Sequence, residues 1–246
     1  MMDIPSSLVE ALRVAHHVAV LTGSGISAES GVPTFRDAQD GLWAKYRPEE
    51  LATPQAFRRN PGLVWDWYTW RRRLVAQAAP NAGHLALVEL GRRVPRLTLI
   101  TQNVDGLHQR AGSQAVIELH GNINRTTCSR EGVVVETWAD PGQSPPACPH
   151  CGGPLRPDVV WFGETLPLDA LQAAADAAGT CQIFFSIGTS GLVEPAASLA
   201  YAALRRGALV VEVNPAATPL TDHAVHLRGP AGQVLPALVQ AAWPPE

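Results

Sequence analysis

Val18-Ala-Val-Leu21 runs without a break into Thr22-Gly-Ser-Gly-Ile-Ser-Ala-Glu-Ser-Gly-Val-Pro-Thr-Phe-Arg36. An apolar run closed by Gly23-Ser24-Gly25 reads as a buried strand entering a glycine turn. Two glycines let backbone approach a phosphate closely, and the start of the following helix offers N–H groups to an anion. An ordinary tight turn explains Gly-x-Gly equally well. The third glycine place of the dinucleotide fingerprint falls at Ala28, which its variant form allows.

Outward from this stretch, short apolar runs recur at residues 97–100, 116–119, 183–187, 209–213 and 224–227. They are continuous rather than alternating, as expected for strands covered on both faces of a parallel sheet. Helical stretches lie between them: 61–78, with Asn60 as N-cap and Pro61 in the first turn, then 82–93, 168–178 and 193–206. A capping box, Ser7-Leu-Val-Glu10, opens the chain, with Leu8, Ala11, Leu12 and Ala15 at helical spacing. Strand and helix alternate, so the expected fold is α/β with a doubly wound, parallel, Rossmann-like sheet. The alternation fails twice. About 75 residues separate the first two strands, and residues 125–157 hold three of the four cysteines. Both are read as insertions that make a smaller domain from a helical module (about 37–79) and a cysteine-bearing module (about 122–160). The large domain then takes about 6–36, 80–121 and 165–242.

At 246 residues, 46% hydrophobic and 17% charged, the chain is long enough for a core without disulfide staples and too apolar for charge-driven disorder. A net charge of -3 gives no overall basic field and argues against nucleic acid as principal ligand. Lys45 is the sole lysine among 19 Lys and Arg, which is read as codon bias. No apolar run has the length of a membrane span, and Met1 to Glu10 lack a basic region followed by an apolar stretch. Cys148-Pro-His-Cys151 has the spacing of a metal knuckle rather than of a disulfide pair. A cytoplasmic protein, off the membrane, is therefore expected. The sequence specifies no oligomeric state.

The strand ends carry the polar groups. Thr101-Gln-Asn-Val-Asp-Gly-Leu-His108 follows the second strand, where open α/β sheets place ligands. Gln102, Asn103 and Asp105 suit ribose hydroxyls and a carboxamide; alternatively Asn103 caps a helix with Asp105 in its first turn. His120, in Leu119-His-Gly-Asn122 at the third strand's end, suits general-base work near neutral pH, or is a structural histidine. Gly188-Thr-Ser190 and Glu212-Val-Asn-Pro215 end two further strands. Together these strand ends describe a crevice suited to a nucleotide.

With these blocks in this order, the sequence resembles the sirtuins, NAD-dependent protein-lysine deacylases, from Val18 to about Ala241. The resemblance covers Gly23 to Arg36, Thr101 to His108, Leu119-His-Gly121, Val159-Val-Trp-Phe-Gly-Glu164, Gly188-Thr-Ser190 and Val213-Asn214. Ser24 stands where Ala is usual. The resemblance implies that an acyl-lysine amide oxygen attacks the nicotinamide ribose of NAD and nicotinamide leaves. His120 then takes a proton from a ribose hydroxyl, which attacks the imidate carbon, and water completes transfer to O-acyl-ADP-ribose. Catalytic roles fall to His120 and Asn103. The cofactor would be held by Gly23, Ser24, Gly25, Ala28, Gln102, Asn103 and Asp105, with Phe35 shielding the reactive sugar and Arg36 beside it. Gly188 and Ala231 are further cofactor contacts, and Thr189, Ser190 and Asn214 match the family's contacts to the adenosine side.

The same resemblance makes Val159, Val160, Trp161, Phe162 and Gly163 one edge of an extended acyl-lysine peptide, with a strand near residues 191–194 as the other. A plain buried hairpin explains those apolar residues equally well. Tyr68 and Arg71, at i and i+3 of a helix, coincide with the acyl-pocket pair of sirtuins that remove succinyl, malonyl or glutaryl groups. Arg72 and Arg73 read as a solvated face. Sirtuins commonly hold a structural Zn²⁺ with two Cys-x-x-Cys pairs. Here Cys148 and Cys151 keep one pair, but Cys128 is followed three places on by Glu131, so Glu131 or His150 completes the set or the metal is lost. Cys181 reads as a core residue. Mono-ADP-ribosyl transfer and a non-catalytic NAD- or peptide-binding module are the alternatives. Hydride transfer is disfavoured, because no acidic residue follows the glycine loop at about 20 residues in a second strand.

Overall fold

The apolar runs become one parallel sheet. A computed structural model describes residues 4–32, 46–139 and 142–244. Strands β1 (His17–Thr22), β2 (Arg96–Thr101), β3 (Ile117–Glu118), β6 (Ile183–Ile187), β7 (Leu209–Asn214) and β8 (Val225–Arg228) pair in the order β3-β2-β1-β6-β7-β8. Every pairing is parallel. The order reverses between β1 and β6, and beyond the carboxyl ends of those strands such sheets open a crevice.

Both faces are covered, which is why the strands read as continuous apolar runs. Val18 and Val20 point into a core with α1 (Ser6–Val14), α5 (Ala82–Arg93) and α9 (Ala231–Ala242). Ala19 and Leu21 point the other way, against α7 (Leu168–Thr180) and α8 (Ser198–Arg205).

Antiparallel β4 (Gly121–Cys128) and β5 (Leu155–Val159) form a separate two-stranded sheet. Packed with it are α2 (Pro48–Leu51), α3 (Pro54–Arg59) and α4 (Pro61–Gln77). One apolar cluster joins Phe57, Val64, Trp67 and Tyr68 of the helical segment to Ile123, Val159 and Trp161 of the cysteine-bearing one. A smaller cluster packs Trp65 on Cys128, Cys148 and Leu155.

Asn60 caps α4 as its position predicts, accepting from the Leu63 N–H at 3.1 Å. Two expectations change, and a third is made specific. Helix α1 starts at Ser6, with the Pro5 carbonyl taking the Leu8 and Val9 amides, so Ser7 lies inside the helix and makes no side-chain cap. The helix that follows Gly23 is a 3₁₀ helix, Ser24–Ser30. The helix expected over 193–206 begins only at Ser198; residues 191–197 are bends and turns and contain no strand.

Candidate active site

At the switch point the loops after β1, β2, β3, β6 and β7 and one face of α4 enclose a cleft of about 730 Å³. Gly25 lies against the β6 loop so closely that a Cβ on it would stand 2.7 Å from the Gly188 Cα, and Gly188 itself has φ +59°. Only glycine permits that approach. The amides of Gly23 and Gly25 donate to the Ile187 and Gly188 carbonyls at 2.9 and 2.8 Å. The two glycine amides thus lock the ends of β1 and β6 together. The 3₁₀ turn is pinned behind: Asn81 Nδ2 donates to Ile26 O, and Glu29 accepts from the Gly232 N–H at the start of α9.

The Thr101–His108 block ends β2 in the same crevice. Asn103 Nδ2 donates to Gly23 O and to Ser27 Oγ, each at 3.1 Å. Ser27 Oγ donates in turn to Asp105 at 2.7 Å. The other Asp105 oxygen accepts from the Leu107 N–H at 2.9 Å, so Asp105 rather than Asn103 satisfies the first amide of the short helix α6 (Leu107–Ala111), whose N-cap residue is Gly106. Gln102 Nε2 donates to Thr189 Oγ1 and Asn214 Nδ2 to Thr189 O, stitching three strand ends together.

His120 sits between β3 and β4 and lines the cleft. Its Nδ1 lies 2.9 Å from the Gln102 carbonyl oxygen. A carbonyl only accepts, so Nδ1 carries the proton and the neutral ring keeps its lone pair on Nε2. Burial holds this imidazole below its ordinary pKa, against the smaller upward pull of the Gln102 bond. The ring is therefore a neutral base at pH 7.

On the α4 side, Tyr68 and Arg71 face the same cleft. Burial pushes the Tyr68 phenol up to about 12, so it keeps its proton, and burial lowers the Arg71 guanidinium against the pull of Tyr68 and Asp105. Arg72 is not a solvated residue. It donates to Ile123 O, Arg125 O and Thr126 Oγ1 and stacks on Trp65, fastening α4 to β4. Arg73 is exposed as expected.

The structure brings Gly23, Ser24, Gly25, Gln102, Asn103, Asp105, His120, Gly188, Thr189, Ser190 and Asn214 to the cleft, with Tyr68, Arg71, Val159, Val160, Trp161, Phe162 and Gly163. Ala28 and Ala231 do not line it: Ala28 is exposed and Ala231 is in the core. Phe35 and Arg36 lie outside the described residues. The sequence reading passed over Ser27, whose hydroxyl within the glycine block was the available signal. It also passed over the link from buried Glu212 to Thr218 and Thr221, which anchors the loop after β7; a carboxylate inside an apolar strand was its signal.

Away from the cleft, Cys128, Glu131, Cys148 and Cys151 bring their donor atoms within 4.8 Å of one another. Two matching turns do this. Gly132 N–H donates to Cys128 O and Gly152 N–H to Cys148 O, both at 2.9 Å, so Glu131 occupies in one turn the place of Cys151 in the other. His150 is exposed and outside the group. Three thiolates and a carboxylate are an accepted tetrahedral donor set, so the residues fit Zn²⁺, in a structural place remote from His120. Cys181 is a buried core residue, its thiol pushed up to about 11 by burial.

The class is that of doubly wound α/β proteins with a switch-point nucleotide crevice, extended by a cysteine module and a half-buried histidine base. Within it, residues 23–195 match the Sir2 family. The NAD-dependent protein deacylase of Methylococcus capsulatus is 51% identical over 249 residues, covering 98% of each chain. A crystal structure of a Sir2 homolog–NAD complex superposes with TM-score 0.89 at 46% identity, covering 98% of this chain and 94% of that one. A Sir2 bound to acetylated peptide gives TM-score 0.85 at 31% identity, covering 96% and 97%. The chain belongs to the Sir2 family and is an NAD-dependent protein deacylase. Among the described residues no helix is long and apolar enough to cross a membrane.

Proposed function

We propose that this enzyme removes acyl groups from protein lysines with a preference for acidic acyl chains, succinyl or malonyl, over acetyl. The observation that carries the preference is Tyr68 and Arg71 on the wall of the cleft that holds His120. A guanidinium in a buried pocket is costly to desolvate, and a terminal carboxylate offsets that cost with charge-assisted hydrogen bonds. An acetyl methyl offers none.

NAD supplies the ADP-ribosyl group that receives the acyl chain and releases nicotinamide. His120 Nε2 takes the proton from a ribose hydroxyl, its tautomer held by Gln102 O. Asn103 and Asp105, immobilised by Gly23 and Ser27, position the nicotinamide ribose and carboxamide. Thr189, Ser190 and Asn214 take the adenosine half. The backbone of residues 159–163 pairs with an extended peptide, so sequence selectivity around the lysine is loose. Residues 191–194 pair on its other side, adopting a strand there. Cys128, Glu131, Cys148 and Cys151 hold Zn²⁺ that supports the β4–β5 module and takes no part in the reaction. The enzyme works in the cytoplasm on acylated proteins.

The test is mass spectrometry of acetyl- and succinyl-lysine peptides incubated with and without NAD. The expected result is NAD-dependent conversion with higher kcat/KM for succinyl-lysine, and reversal of that order in Arg71→Met. Acetyl preference in the wild type, with Arg71→Met affecting both peptides equally, refutes the acidic-acyl reading.

A further inference from the structure

The Tyr68 hydroxyl is buried, and among the described residues it makes one hydrogen bond, to Trp161 Nε1 at 3.0 Å. The direction of that bond follows without seeing a hydrogen. An indole nitrogen is a donor only, so the phenol oxygen accepts. Tyr68 therefore keeps its single proton for another partner, and both residues line the cleft.

We propose that Trp161 is a specificity-determining residue: by filling the acceptor side of the Tyr68 hydroxyl, it compels that hydroxyl to act as a donor toward a carboxylate-bearing acyl group. This rests on the acidic-acyl reading above and adds to it the residue that sets the pocket's polarity. Without the indole N–H, the phenol is free to turn its oxygen inward and accept, and the pocket loses half of its pair of donors. The arrangement also disfavours a neutral acyl chain, because a buried O–H facing a methyl group goes unsatisfied.

Three further contacts hold Trp161 in this role. The Arg156 guanidinium carbon lies 3.5 Å over its ring and draws electron density from it, which strengthens the indole donor. Glu164 fixes Arg156 with two bonds of 2.7 and 2.8 Å. Glu164 also accepts from the Trp161 backbone N–H at 2.8 Å. From indole N–H to phenol O–H to ligand carboxylate the donors run in one direction, a chain in which each bond polarises the next.

The test is the ratio of kcat/KM for succinyl-lysine to that for acetyl-lysine, in wild type, Trp161→Phe, Tyr68→Phe, the double variant and Arg71→Met. A ratio is independent of the fraction of correctly folded enzyme. Trp161→Phe is expected to lower it about fivefold to tenfold, mainly through KM for the succinyl peptide, and to leave it unchanged when Tyr68 is already Phe. If Trp161→Phe slows both peptides equally, or lowers the ratio as much in the Tyr68→Phe background, the role assigned to Trp161 is wrong while the acidic-acyl reading stands. If the wild type prefers acetyl-lysine and Arg71→Met affects both peptides alike, both readings fall.

Discussion

Beneath the catalytic strand ends lies a pair of buried histidines whose protonation opposes folding. His84 and His108 are at most 1% exposed, with ring centroids 4.9 Å apart. His108 Nε2 meets Thr22 Oγ1 at 2.9 Å, whereas His108 Nδ1 and His84 Nε2 have no hydrogen-bond partner among the described residues. Burial, and then the neighbouring His84, lower the His108 pKa from 6.5 to about 3. His84 is lowered as well, by burial first. Below pH 6.5 the unfolded chain binds a proton at His108 that the folded chain refuses, so stability is complete above pH 6.5 and declines toward pH 3. Each pH unit in that window costs up to about 1.4 kcal/mol at His108, or about 2 kcal/mol at pH 5. That is a large part of a typical margin of about 5–15 kcal/mol. Urea unfolding from pH 7.5 to 5 reads it directly, in a range above the titration of ordinary carboxylates. His108→Gln is expected to be less stable at pH 7.5 but to show a shallower pH slope. An identical slope in wild type and variant would refute the argument.

His120→Ala is expected to lower kcat by about 100-fold or more while NAD and acyl-peptide binding, followed by calorimetry, persist. The acid limb of kcat/KM should fall below pH 6.5, since burial lowers the His120 pKa. Elemental analysis should find about one zinc per chain, and a chelator should lower Tm; Glu131→Ala should release the metal at lower chelator concentration than wild type, with His150→Ala unchanged.

The sheet was legible because strand burial on both faces leaves a continuous apolar run, a pattern carried by each strand alone: every such run from Val18 to Leu227 became a parallel strand. Strand-end polar residues were legible for a related reason. A parallel sheet delivers all its carboxyl ends to one edge, so Gln102, His120, Thr189 and Asn214 meet once the topology is known. Helix starts were read less well where the partner was a carbonyl rather than a side chain, as at Pro5.

By itself, then, the sequence determined the α/β sheet, the glycine turn, the polar strand ends and the Tyr68–Arg71 spacing, each a matter of local periodicity or short-range chemistry. Tertiary structure alone decided which partner each side chain takes. It put the proton of His120 on Nδ1 through Gln102 O. It fastened Arg72 to β4 and chose Glu131 over His150 as the fourth donor beside three cysteines. It also set the Trp161 indole on Tyr68, 93 positions away in the chain. Such contacts join segments separated by whole crossovers, and their geometry depends on how the two insertions pack against the sheet, which no window of neighbouring residues encodes.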